Sequence, residues 1–179
     1  PVAQLLKQRS FEVIFLALNS AIPYAKQQGM EVVTYRDLVE PGDEVALRHG
    51  AALAAEFSEH AVSFEESAAY LGLSLGSLAE EHSWEDALGI YKEQGRRAFH
   101  PVSFMERVIR RFAPDVVVAT SSPRSERAAV DAARRMHVPS VCVVDLFAKL
   151  EMDWLGRPDY ADRLTVLSNS VRDRFLRAG

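Results

Sequence analysis

The spacing of apolar and polar positions divides this chain into three stretches. Residues 11–18 (FEVIFLAL) are almost wholly apolar, which predicts a strand covered on both faces. Residues 30–35 (MEVVTY) predict a second strand. Between them, Asn19 and Ser20 can cap a helix that runs to about Gln28 and stops at Gly29. Residues 2–9 read as the end of a short helix. Strand, helix, strand is the rhythm of a parallel sheet with crossovers.

From about residue 41 to residue 113 the pattern is helical and contains no convincing strand. Residues 44–60 are rich in alanine, and residues 64–78 continue the helical period despite Gly72 and Gly76. Ser83, with Asp86 three positions on, predicts a capped helix with Trp84, Ala87, Leu88 and Tyr91 on one face. His100-Pro101 opens a further helix whose buried stripe is Phe104, Val108, Ile109 and Phe112, and Pro114 ends it.

The alternation then returns. Residues 115–120 form a strand and residues 123–137 a helix. That helix has Ala128, Ala129, Ala132, Ala133 and Met136 on its apolar face and arginines opposite. Residues 140–145 and 163–168 are further strands, separated by a loop with Trp154 and Pro158, and residues 170–178 form a closing helix. The expected fold is α/β: a Rossmann-like, doubly wound, mostly parallel sheet with a helical insert at about 41–113. A doubly wound domain usually opens on its central strand, whereas this chain opens on a helix and closes on a helix stopped by glycine. We therefore expect both ends to be cut from a longer protein; the alternative is a small complete domain.

Composition narrows the class. The 179 residues suit one domain, and 48% are apolar, enough for a real core. A net charge of −4 gives no support for nucleic-acid binding. The single cysteine, Cys142, cannot build a disulfide framework, which points to a reducing, cytoplasmic setting. No apolar run approaches the roughly 20 residues of a membrane span, and residues 1–4 (PVAQ) lack the basic start of a secretion signal.

Candidate chemistry gathers where strands end, because open α/β sheets bind ligands beyond the carboxyl ends of their strands. Asn19 and Ser20 mark one such end, Thr120 to Arg124 a second, Asp145 a third and Ser168 to Ser170 a fourth. Ser121 or Ser122 can cap the helix that follows, with Pro123 in its first turn. The free N–H groups and Arg124 then suit an anion; plain capping with Arg124 in solvent is the simpler alternative. Asp145 either caps the next turn or faces the cleft and accepts from a hydroxyl. Glu151 and Asp153 beside Trp154 suit a sugar, or an ordinary surface loop. The five histidines lie in different segments without ligand spacing, so no metal site is expected. His100 reads as a cap or turn and His137 as a helix C-terminal residue. Cys142 reads as an inert core thiol, and the Gly72-x-x-x-Gly76 pair as a means of close helix packing rather than membrane dimerisation. Glu56, Glu59, Glu65, Glu66, Glu80, Glu81, Glu85 and Glu93 read as solvated helix faces. Neither a GxGxxG nor a GxxxxGK[ST] motif is present.

Three stretches carry a resemblance. They are PVAQLLKQRSFEVIFLAL with AIPYAKQQGMEVVTY, FAPDVVVATSSPRSERAAVDAARRMHVPSVCVVDLF, and YADRLTVLSNSVRDRFLRAG. Together they resemble the N-terminal half of a GT-B glycosyltransferase, an architecture shared with UDP-N-acetylglucosamine 2-epimerases. The resemblance covers most of the chain outside the insert and rests mainly on core patterns. It implies two Rossmann-like domains facing a cleft, with the acceptor on the N-terminal one and the nucleotide-sugar donor on a C-terminal one outside this chain. It also implies no cofactor and no bound metal. Glycan, lipid or other acceptors fit it, with the insert shaping the acceptor pocket or touching a membrane surface. The residues expected to line the cleft are Asn19, Ser121, Ser122, Arg124, Asp145 and Glu151. A non-catalytic α/β binding module is the remaining alternative.

Overall fold

A computed structural model of the chain describes residues 2–18, 21–57, 63–145, 148 and 151–178. The backbone divides into two compact units, Pro1–Gly76 and Ser77–Gly179. Both are α/β, and every strand pairing described is parallel.

In the first unit, helix α1 (Val2–Gln8) leads into β1 (Ile14–Leu16), α2 (Ala21–Gln27) and β2 (Glu31–Val33). β1 and β2 pair in parallel, Ile14 opposite Glu31 and Leu16 opposite Val33. The first strand is shorter than its apolar run suggests, and its residues are half-buried rather than covered on both faces. Phe11 is the reason at one end. Its N–H bonds back to the Leu6 carbonyl, closing the stop of α1 around Ser10 (φ 65°), so it cannot join the ladder. Gly29 (φ 68°) ends α2 the same way, with the Met30 N–H on the Ala25 carbonyl.

Helices α3 (Glu44–Ala55) and α4 (Phe64–Glu81) meet backbone to backbone. A Cβ on Gly50 would sit 2.0 Å from the Ala68 carbonyl oxygen, and one on Gly72 2.4 Å from that of Ala46. Gly72 therefore has the close-packing role expected of it. Glu66 departs from expectation. It is buried, not solvated: its two carboxylate oxygens accept the N–H groups of Tyr35 and Arg36, each at 3.0 Å. Those donors begin the 3-10 turn Arg36–Leu38 and have no partner within it, so a carboxylate reaching in from α4 satisfies them. Glu56, Glu65, Glu80, Glu81, Glu85 and Glu93 are exposed as expected; Glu59 lies outside the described residues.

The second unit holds α5 (Trp84–Gln94), α6 (Val102–Phe112), β3 (Val117–Thr120), α7 (Ser125–Arg135), β4 (Ser140–Val143), α8 (Met152–Leu155), β5 (Arg163–Thr165) and α9 (Asn169–Ala178). Its sheet has the order β3-β4-β5, with Val117 opposite Ser140 and Val141 opposite Arg163. Ser83 caps α5 through the Asp86 N–H at 3.1 Å, as its spacing predicts. The stripe of α6 is shifted: Val102, Phe104, Met105 and Ile109 are buried, while Val108 and Phe112 are half-buried. Ala119, Val130, Cys142, Val144, Leu155, Tyr160 and Val171 form the core around the sheet. Asp162 fastens the start of β4, accepting the Ser140 N–H at 2.8 Å and hydroxyl at 3.1 Å. Those bonds hold its carboxyl below the usual carboxylate range.

Candidate functional site

β3 and β4 run side by side to Thr120 and Val143, so the residues that follow emerge together at one end of the sheet. There the buried Ser121 donates its hydroxyl to Oδ1 of Asp145 at 2.8 Å. Asp145 itself is exposed. The pair thus presents to solvent a carboxylate whose orientation is fixed from below. Such a group accepts hydrogen bonds from ligand hydroxyls, or takes a proton from one.

This pairing corrects the expected capping. Neither Ser121 nor Ser122 caps α7 with its side chain. The Ser121 hydroxyl is committed to Asp145, and Ser122 offers its carbonyl to the Arg127 N–H at 3.2 Å. The helix starts later than expected, at Ser125, so Pro123 precedes it and Arg124 occupies the cap position without a side-chain cap bond. Glu151, half-buried, precedes α8 and accepts the Leu155 N–H on its carbonyl at 2.9 Å. Of the six residues expected to line a cleft, the structure joins Ser121 and Asp145. It does not show Ser122, Arg124 or Glu151 joining that pair, and Asn19 lies outside the described residues.

Cys142 sits beneath this end of the sheet, fully buried, with its thiol directed at the Thr120 carbonyl at 3.6 Å. Burial, and then the Asp145 charge, push its pKa up to about 11. It stays a thiol near neutrality and is no nucleophile.

A second cluster was not foreseen. Asp131, on the inner face of α7, is 4% exposed yet charged. His100 Nε2 lies 3.0 Å from its Oδ2, and Arg157 donates to its Oδ1 at 2.6 Å. Arg127 and Arg134 each approach to 3.9 Å. Burial alone would raise the Asp131 pKa; hydrogen bonds from His100 and Arg157 outweigh it and hold the carboxyl at about 2. The His100 side chain therefore serves Asp131, while its carbonyl accepts the Val102 N–H at 2.8 Å in the turn expected there; the cap residue of α6 is Pro101. Trp154 is not open for stacking on a sugar as its acidic neighbours suggested. It packs half-buried against the core, with the Arg127 guanidinium 5.4 Å over its ring. Asp131 had one sequence signal: a lone acid one turn beyond Ala128, inside a stripe of alanines. An acid at such a position must find cationic partners.

Among the described residues, no three His, Cys, Asp or Glu side chains gather as a metal-binding group, and no helix is long and apolar enough to cross a membrane. No protein-family model, no curated protein and no solved structure matches the chain.

Proposed function

We propose that this chain is the acceptor-side domain of a GT-B-type sugar-transfer enzyme of the cytoplasm, with the doubly wound, Rossmann-like fold of that class. The observation that supports this reading is the Ser121–Asp145 pair. It places an oriented, exposed carboxylate beyond the carboxyl ends of parallel strands, where α/β sheets receive ligands. A carboxylate there suits the hydroxyls of a sugar acceptor. Asp145 would hold an acceptor hydroxyl, and Ser121 would fix the rotamer of Asp145. In enzymes of this kind the nucleotide-sugar donor sits on a second domain of similar architecture, where its leaving diphosphate is stabilised.

Saturation-transfer NMR with neutral oligosaccharides tests the assignment on the chain as it stands. Saccharide ring protons should receive saturation, and Asp145→Asn should weaken binding about tenfold, the scale of one charge-assisted hydrogen bond. Ser121→Ala should weaken it less. If no saccharide binds, or if Asp145→Asn leaves binding unchanged, the reading fails. Binding of a nucleotide sugar in place of the saccharides would favour an epimerase or hydrolase on the same fold.

A further inference from the structure

Charge is distributed unevenly along this chain. Residues 37–93 hold thirteen carboxylates against two cations, whereas residues 96–135 hold nine arginines against four carboxylates. Helices α6 and α7 concentrate that excess into adjoining clusters. Arg110 and Arg135 share Glu106, at 3.8 and 3.5 Å. Arg127, Arg134 and Arg157 surround Asp131, and Arg134 also pairs with Asp159. In both clusters the guanidinium groups outnumber the carboxylates.

The Asp131 cluster is also under-used as a set of donors. Among the described residues, the buried side-chain polar atoms without a hydrogen-bond partner are Ser74 Oγ, Arg127 Nε, Trp154 Nε1, Arg157 Nε and the Tyr160 hydroxyl. Four of these five belong to this cluster and the aromatic rings beneath it. All four can donate but lie out of solvent's reach, so an anion would meet the exposed parts of the arginines and not these atoms. Tyr160 is fully buried. The guanidinium planes are oriented in advance: Arg127 lies over Trp154 and Arg157 over Tyr160 at 5.3 Å. Each arginine side chain nonetheless keeps about a third or more of its surface in solvent, from 32% for Arg127 to 43% for Arg134.

We propose that Arg127, Arg134 and Arg157 form a binding site for a phosphate-class oxyanion, with Asp131 as the internal counter-ion that holds the three guanidinium groups together. The planar, forked donor set of arginine matches a tetrahedral oxyanion, and stacking on rings lowers the entropy lost when it binds. The assignment is independent of the sugar-acceptor reading, since none of its residues belongs to the Ser121–Asp145 pair.

The test uses the intact chain with inorganic phosphate and pyrophosphate as probes, read by thermal melting against chloride at matched ionic strength and by calorimetric titration. Phosphate should raise the melting temperature saturably where chloride does not. Arg134→Gln, on the exposed rim, should fold normally and bind phosphate about tenfold more weakly, one charge-assisted contact being lost. Asp131→Asn removes the competing negative charge; its melting temperature should fall in chloride and recover disproportionately in phosphate. Arg172→Gln, on α9, should change nothing. Phosphate acting no differently from chloride would overturn the site, as would an Arg134→Gln variant that binds it unchanged. Should Asp131→Asn fail to fold, Arg127→Gln with Arg134→Gln carries the same test.

Discussion

Asp131 shows how much can rest on one buried carboxylate. Its charge is kept out of water by α7 and repaid by His100 and Arg157, so removing either half of the arrangement leaves an unpaired group. Asp131→Asn should destabilise the chain by about 3 kcal/mol, the scale of breaking a buried ion pair, read by chemical denaturation. Its folded pKa of about 2 lies below the ordinary 3.8. The stabilisation is therefore complete above about pH 4 and lost as pH falls toward 2. The wild-type chain should lose stability over that window, and Asp131→Asn should show a flatter acid limb. Equal acid limbs would mean another carboxylate controls acid unfolding. Ala113 makes a quieter case. It is exposed and left-handed (φ 43°), closing α6 with its N–H on the Ile109 carbonyl. Ala113→Gly should stabilise by about 0.5 kcal/mol, because relieved left-handed strain exceeds the added chain entropy. Ala113→Val should destabilise. Residue chemistry was the least legible level of the sequence. Ser121 and Asp145 could be named because strand ends can be read from an apolar run. That they would bond to each other depended on register, which one sequence does not print. Glu66 was misread because nothing nearby in sequence shows the Tyr35 and Arg36 donors it serves.

Among the elements, the decisive contact is between two glycines on neighbouring helices. Gly50 on α3 and Gly72 on α4 leave no room for a methyl group. Both positions are helical, where glycine is intrinsically worse than alanine; on propensity alone each substitution to alanine would stabilise. The packing argument gives the opposite sign. A Cβ within 2.0–2.4 Å of a carbonyl oxygen forces the helices apart, and overpacking of this kind costs about 1–3 kcal/mol. Gly50→Ala and Gly72→Ala should both lower the melting temperature, with Gly50→Ala the more damaging. The exposed Gly89 on α5, with open space around it, is the control: Gly89→Ala should stabilise by about 0.5–1 kcal/mol. If all three variants behave alike, the α3–α4 crossing is not as tight as described. Helix and strand identities followed from periodicity except at α8, a single turn too short to show a stripe, in the segment expected to be a loop. Strand boundaries moved inward because turns claim the end residues, as Phe11 is claimed by the stop of α1, whereas α4 runs past its expected end at Leu78 to Glu81.

Over the whole molecule, burial is distributed as unevenly as charge. In the first unit, α1 has no buried residue, β1 and β2 have none among their three residues each, and α2 has only Ala25. Val2, Leu5, Phe11 and Tyr24 are all more than half exposed. In the second unit, α7 buries Ala128, Val130, Asp131, Ala132 and Ala133, and β4 buries Ser140 and Cys142 beside it. Opening of the backbone requires exposing whatever the local side chains bury, so elements with little buried apolar area open at low free-energy cost. Backbone hydrogen bonding does not offset this, because a three-residue parallel pair supplies few bonds. Hydrogen exchange on the intact chain should therefore show two classes of amide. Those of α7 and β4 should exchange only through large-scale unfolding. Those of α1, β1, α2 and β2 should exchange through local opening, at least about a hundredfold faster. Asp131→Asn should speed exchange in α7 and β4 strongly while scarcely moving the fast class, since the fast amides do not report on the core that Asp131 stabilises. If β1 and β2 prove as protected as β4, the exposed apolar residues of this region, Val2, Leu5, Phe11 and Tyr24, are covered in solution by something that steadies it. The same residues should then lose reactivity toward surface-labelling reagents, an independent measurement that separates covering from intrinsic rigidity.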